Sequence, residues 1–309
     1  MKVLFAAAEV DPFSKVGGLA DVAASLPRRL MEMGHEVRIV APCHRASLAA
    51  HAASTAHTRY AIEAPGPGWE IDVAVVEGYG GVPVHLVSDS HYFGEREVYG
   101  EPDDLLRYQF FCRAIVELLT QGDWVPDILH LNDWHTAPLA YALRNLAWGN
   151  PALRGVASVF TIHNLRYRGP DEFNDFLSQA IYYSDIVTTV SPSYAREILT
   201  QDYGEGLEAL LQLRGEALVG ILNGVNYDVF NPRTDRHLRH PFDLSTLEER
   251  KRNRDVLRRE LRLPEGDGPI LGMVTRLVEQ KGIDLVLQAM PEFLAAGALI
   301  MTHLSRMSE

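Results

Sequence analysis

Lys15-Val16-Gly17-Gly18-Leu19-Ala20-Asp21 stands where an apolar run gives way to a helical pattern. Two glycines at a helix N-terminus let backbone N–H groups approach an anion without a Cβ in the way. The adjacent lysine adds a full positive charge. Together they read as a phosphate site, the plainer alternative being a Gly-Gly turn beside a solvated lysine. Glu9 and Asp11 flank the stretch, and Asp21 lies one turn into the helix. A dinucleotide fingerprint needs G-x-G-x-x-G and an acid on the next strand. Neither is present, which disfavours a nicotinamide enzyme. Near the other end, Arg276 and Lys281 are five residues apart between a strand pattern and a helix pattern. That spacing lets both cations converge on one anion; a pair of surface charges is the alternative.

These residues need a scaffold, and the hydrophobic pattern describes one. Residues 2–8 form an apolar run of the kind a doubly covered parallel sheet uses. Leu19, Val22, Leu26, Leu30 and Met33 then mark a helix that stops at Gly34, and residues 36–41 form the next strand. Residues 47–69 are mixed, with Pro65-Gly66-Pro67-Gly68 near their end. A hairpin follows, with strands over 71–76 and 82–87 about a turn at Tyr79-Gly80-Gly81. Leu105, Tyr108, Cys112, Ile115 and Leu119 predict a long helix. Strands over 127–131, 156–162 and 186–190 each run into polar residues, and a further strand over 218–222 ends in Asn223-Gly224. Ser191 and Pro192 supply an N-cap and a first helical position. Such alternation predicts a doubly wound parallel sheet. Residues 231–245 read as a linker, 247–261 as a charged helix, and the strand over 270–274 as the opening of a second α/β lobe.

Size and charge narrow the function. A chain of 309 residues is long enough for two domains. Its formal charge of −12, with no basic block, disfavours nucleic acid and anionic membranes as partners. No apolar stretch reaches the roughly 18 residues that a membrane span needs, and the N-terminal run breaks at Glu9 and Asp11, unlike a signal peptide. Cys43 and Cys112 read as buried thiols of a reducing cytoplasm. His44, His51 and His57 show no matching acids in the sequence, so no metal site is expected.

Six motifs in order resemble the bacterial glycogen synthase and plant starch synthase family. They are the Lys15–Asp21 stretch, His130-Leu-Asn-Asp-Trp-His135, Thr161-Ile-His-Asn164, Thr189-Val-Ser-Pro-Ser-Tyr194, Leu222-Asn-Gly-Val225 and Val274-Thr-Arg-Leu-Val-Glu-Gln-Lys-Gly282. The resemblance covers residues 1 to about 296. It implies a two-lobe glycosyltransferase of GT-B type, with the active site in the cleft between lobes. It also implies retaining transfer of glucose from ADP-glucose to the non-reducing end of an α-1,4-glucan, with no cofactor and no metal. The division expected is an N-terminal lobe over 1–220 and a linker with the start of a second lobe over 221–309.

Residue by residue, the resemblance implies that Lys15, Gly17 and Gly18 hold the diphosphate or neighbouring sugar. Asp21 is similar to a sugar-contacting acid, although a first-turn aspartate also suits the helix dipole. Arg276 and Lys281 would neutralise the departing ADP without a divalent metal. His163, on composition alone a satisfied core histidine, would contact the sugar near its anomeric carbon, with Asn164 in the same pocket. Asp133 and His135 would line the same cleft, Asp133 equally suiting a helix cap. Tyr92 and Tyr99 are weaker candidates for stacking. The segment after Asn164 is shorter than in many relatives. The chain also ends soon after the second lobe begins, so the expectation is a C-terminally truncated synthase with little turnover and an aggregation-prone tail. The other readings are a related transferase using another sugar nucleotide and a non-catalytic glucan- or nucleotide-binding fragment; Lys-x-Gly-Gly-Leu favours ADP-glucose.

Overall fold

Strand β1 (Lys2–Ala6) alternates its side chains between two cores, Leu4 and Ala6 on one face, Phe5 on the other, with Ala7 beyond the strand end continuing that second core. The computed structural model describes residues 1–62, 69–169, 175–276 and 281–305. They divide into two units, Met1–Gly224 and Val225–Glu309.

In the first unit β1 leads through α1 (Gly18–Glu32) to β2 (Glu36–Pro42), then to α2 (Leu48–Ala53), β3 (Ala56–Ile62), β4 (Trp69–Glu77) and β5 (Pro83–Ser88). Next come α3 (Asp104–Gln121), β6 (Ile128–Asn132), α4 (Pro138–Gly149) and β7 (Ala157–Ile162). The unit continues with α5 (Phe176–Tyr183), β8 (Ile186–Thr189), α6 (Pro192–Glu197), α7 (Glu208–Gln212) and β9 (Leu218–Gly220). The sheet order is β3-β4-β5-β2-β1-β6-β7-β8-β9, antiparallel only at β3–β4 and β4–β5. Chain order runs one way from β1 to β2 and the other way from β1 to β6. The crevice beyond the carboxyl ends of β1 and β6 is therefore the topological switch point, where open α/β sheets bind ligands.

Helices cover both faces. Helix α1 packs on the face of Phe5, Ile39 and Val84, while α3, α4 and α5 bury Phe111, Ile115, Leu139 and Leu177 on the face of Leu4, Leu129 and Phe160. The buried side of α1 is Leu19, Ala20, Ala23, Ala24 and Pro27. Of the expected stripe Leu19 is buried and Val22 and Leu26 pack against the same core, whereas Met33, past the helix end, is exposed, and the alanines fill the rest of the contact. Strand β3 was hidden in the mixed stretch before the hairpin. It is an edge strand exposed on both faces over most of its length, so it carries no apolar alternation. Ser191 caps α6, its Oγ accepting from the Tyr194 N–H at 2.9 Å.

The second unit holds α8 (Glu249–Glu260), β10 (Ile270–Arg276), α9 (Ile283–Ala295) and β11 (Leu299–Ser305). A single strand was expected here. Instead β10 pairs in parallel with β11 from Ile270↔Leu299 to Arg276↔Ser305, closing a small βαβ unit. Its apolar side chains are poorly covered: Val274 is 83% exposed and Leu285 63%. Amides of β10 and α9 should accordingly exchange with solvent deuterium at least about a hundredfold faster than those of β1. Equal protection of the two strands would contradict this account. Among the described residues no helix is long and apolar enough to cross a membrane.

Candidate active site

The loop after β1 is organised by a buried acid. Glu9, 1% exposed, accepts from the Val16 N–H at 2.5 Å and the Gly17 N–H at 3.1 Å through Oε2. Its carboxylate also takes the Tyr99 hydroxyl, and burial raises its pKa against the pull of these bonds. A remote glutamate thus caps α1. Lys15 lies beside it, with Nζ 2.6 Å from Asp21 Oδ1 and 3.4 Å from Asp11 Oδ2. The bond to Asp21 comes first among the causes that raise its pKa. The sequence reading aims these amides and this lysine at an anion. In the structure Glu9 already holds the amides of Val16 and Gly17, and Asp21 and Asp11 hold the lysine. Gly18 is different. It is exposed and helical, and a Cβ built there meets no atom within 4 Å. No backbone strain or crowding requires a glycine at this position.

Two neighbouring strand ends form the second part of the site. Asn132, fully buried at the end of β6, donates from Nδ2 to the Ala6 carbonyl at 2.9 Å. A carbonyl only accepts, so Asn132 Oδ1 must be the atom 2.9 Å from His163 Nε2. The His163 ring therefore carries its proton on Nε2 and presents Nδ1 as an acceptor. Asp133 sits at φ 55°, a left-handed conformation for a non-glycine residue. Its Oδ1 receives the His163 N–H at 2.7 Å and the Asn164 N–H at 3.3 Å. Its carboxylate ties β6 to the loop after β7 and does not cap α4. Burial raises the Asp133 pKa and lowers that of His163, while their mutual attraction opposes both shifts. Asn164 Oδ1 accepts from the Arg166 N–H at 3.2 Å and so shapes its own turn. Behind them His130 Nε2, Thr161 Oγ1 and Thr188 Oγ1 form a chain with links of 2.7 Å across β6, β7 and β8.

His135 does not line an open crevice. It is 6% exposed among the rings of Trp134, Tyr108 and Tyr99, centroids 4.2, 4.5 and 5.0 Å away. Burial holds its pKa well below the usual imidazole range. Tyr92 is a core residue on Phe110. Tyr99 serves as the donor that fixes Glu9 and as part of the wall around His135. Sequence reasoning missed Asn132 as the residue that orients His163, and it missed Arg107. That guanidinium, fully buried, donates to the carbonyls of Tyr92 at 2.8 Å and Glu97 at 2.7 Å and to Asp104 at 2.5 Å. It also faces His44 Nδ1 at 3.4 Å, while His44 Nε2 bonds the Ala8 carbonyl at 3.0 Å. A charge inside the apolar stripe of α3 was the available signal.

The remaining candidates belong to the second unit. Arg276 ends β10, and Lys281 is exposed just before Gly282, which adopts φ 64° at the start of α9. Residues 277–280 between them lie outside the described residues. A cavity of about 710 Å³ in this unit is lined by Phe242, Leu247, Asn253 and Leu257, and Lys281 is not among the described residues that line it. The expectation that no acid accompanies the early histidines fails for His51 and His57. The register of β3 with β4 brings Asp72 beside both.

Comparison with known proteins gives a consistent picture. A family model described as the starch synthase catalytic domain matches residues 2–213. The glycogen synthase of Moorella thermoacetica is 38% identical over 315 residues, covering 93% of this chain and 63% of that protein. That of Clostridium novyi is 38% identical over 322 residues, covering 95% and 67%. The catalytic domain of starch synthase IV from Arabidopsis thaliana, solved bound to ADP and acarbose, superposes with a TM-score of 0.86 at 31% identity, covering 99% of this chain and 68% of that one. A trehalose-6-phosphate synthase from Burkholderia multivorans, at 15% identity and a TM-score of 0.51, shares the fold alone. The chain spans 63% and 65% of the length of the first two glycogen synthases it matches.

Proposed function

We infer the function from one premise: this chain belongs to the starch synthase catalytic-domain family. The reading is an ADP-glucose-dependent α-1,4-glucan synthase that acts with retention of configuration. The observation that carries it is the Asn132–Asp133–His163 arrangement at the switch point, where one amide fixes a ring and one carboxylate fixes its backbone. The ADP and acarbose of the Arabidopsis structure support a nucleotide and a glucan as ligands of the family.

In this reaction the bond from the glucosyl anomeric carbon to ADP breaks and a bond to the acceptor hydroxyl forms on the same face. The acceptor proton leaves with the departing phosphate. Positive charge grows on the sugar while negative charge grows on the β-phosphate. His163, neutral and offering Nδ1, holds a sugar hydroxyl in place. Arg276 and Lys281 neutralise the diphosphate. Lys15 turns from Asp21 towards the donor, the open surface at Gly18 admits it, and Gly17, Asp21, Asp133, His135 and Asn164 support that wall. A cytoplasmic location is part of the same proposal.

The test is uptake of labelled glucose from ADP-glucose into glycogen, with donor binding measured separately and UDP-glucose run in parallel. Preference for ADP-glucose supports the assignment; preference for UDP-glucose, or binding of neither, overturns it. Lys15→Ala should raise the KM for ADP-glucose about tenfold or more, the worth of one charge-assisted hydrogen bond. An unchanged KM would restrict Lys15 to holding Asp21 and Asp11 in place.

A further inference from the structure

Three side chains from α2, β3 and β4 converge at the edge of the sheet, three strands away from β1. His57 Nδ1 lies 2.9 Å from Asp72 Oδ2, and His51 Nε2 lies 3.4 Å from the same oxygen. One ligand atom from each of the three falls within 4.8 Å of the others. We propose that His51, His57 and Asp72 form a binding site for a divalent transition metal of zinc-like ligand preference, which clamps α2 onto the β3–β4 hairpin.

The orientation of the three side chains argues for a cation at this point. His57 Nε2 is 3.1 Å from the Ser54 carbonyl oxygen, which can only accept, so Nε2 carries the proton. Nδ1 of the same ring faces Asp72 Oδ2 at 2.9 Å, so both atoms point at one position that a cation can occupy. Among the described residues His51 Nε2 is buried without a hydrogen-bond partner, although it is directed at that same oxygen. A metal ion at the centre of the cluster would engage His51 Nε2, His57 Nδ1 and Asp72 Oδ2 together.

Geometry and surroundings agree. Ligand bonds of about 2.0–2.2 Å in a tetrahedron put ligand atoms roughly 3.3–3.6 Å apart. The His51 separation already fits, and the His57 separation must widen by about 0.4 Å. Two imidazoles and one carboxylate are a donor set that zinc takes, with a fourth position left for water. The Ser54 carbonyl on His57 Nε2 is the type of outer partner that fixes a ligating ring. Register supplies the rest: His57 lies opposite Ala74 and Arg59 opposite Asp72, so His57 and Asp72 form a diagonal cross-strand pair on one face, with α2 against β4.

The experiment is titration of the EDTA-treated protein with ZnCl2 by calorimetry, and with CoCl2 while following visible absorption. The wild type should bind one equivalent with an affinity in roughly the micromolar range or tighter, and cobalt should give the intense bands of a tetrahedral site. His51→Ala, His57→Ala and Asp72→Asn should each weaken that equivalent at least about tenfold. Zinc should also raise the midpoint of thermal unfolding in the wild type and not in the variants. Asp72→Asn preserves side-chain shape, so it reports on the site even where an alanine variant fails to fold. Absence of stoichiometric binding, or affinity unchanged in Asp72→Asn and in the histidine variants that fold, would overturn the proposal.

Discussion

Acidification from pH 7 to 5 should cost the first unit about 4–6 kcal/mol of stability. Burial holds the imidazoles of His44 and His130 down at about 3 and that of His85 at about 4. In the unfolded chain each takes up a proton near the ordinary value, whereas in the folded unit it stays neutral. The stability linked to each is therefore complete above about pH 6.5 and is lost as the pH falls towards the folded values. Each group contributes about 1.4 kcal/mol per pH unit in that window. His135 and His163, also lowered by burial, act in the same direction. Glu9 and Asp133 act oppositely, since burial raises them and their folded forms gain protons first, which trims the loss. The result is a large fraction of a typical domain's total stability. All four tryptophans lie in the first unit, so urea unfolding followed by their fluorescence isolates it. His44→Gln should reduce the slope by about a third. Equal urea midpoints at pH 7 and 5 would refute the account.

Replacing His163 by Ala should lower kcat for glucose transfer about 10²–10³-fold, the scale of losing one preorganised polar contact to a charged transition state. Asn132→Leu leaves the ring in place but removes the oxygen that holds it, and should cost about tenfold or more through misorientation. Because Asn132 acts through His163, the double variant should fall little below His163→Ala alone. Additive losses would separate the two residues. An Asn132→Leu variant with wild-type kcat would remove the positioning role. The assay is incorporation from ADP-glucose into glycogen, and far-UV circular dichroism checks that the buried Asn132 site still folds.

Much of this arrangement was readable from spacing. The βαβ order, the hairpin and the helix caps follow from neighbours two to four residues apart, and polar residues closing apolar strands marked 132–135 and 163–164 as a site. The failures have a common form. Strand β3 carries no alternation because both of its faces meet water. The α1 stripe was only partly placed, because Ala20, Ala23 and Ala24 share the sheet-facing side with Leu19 and small residues give no apolar signal. The second unit's β11 was missed because its partner β10 lies across a whole helix.

Local pattern by itself determined most of the elements, their order and the family motifs, since those depend on side-chain periodicity within one turn or one pleat. Only the tertiary structure decided which groups are partners. Glu9 closes on the amides of Val16 and Gly17, Asn132 turns His163 from 31 residues away, and Asp72 meets His51 and His57 through strand register. Such pairings are set by where the sheet folds the chain back on itself, and a buried donor or acceptor must find its counterpart there or stay costly.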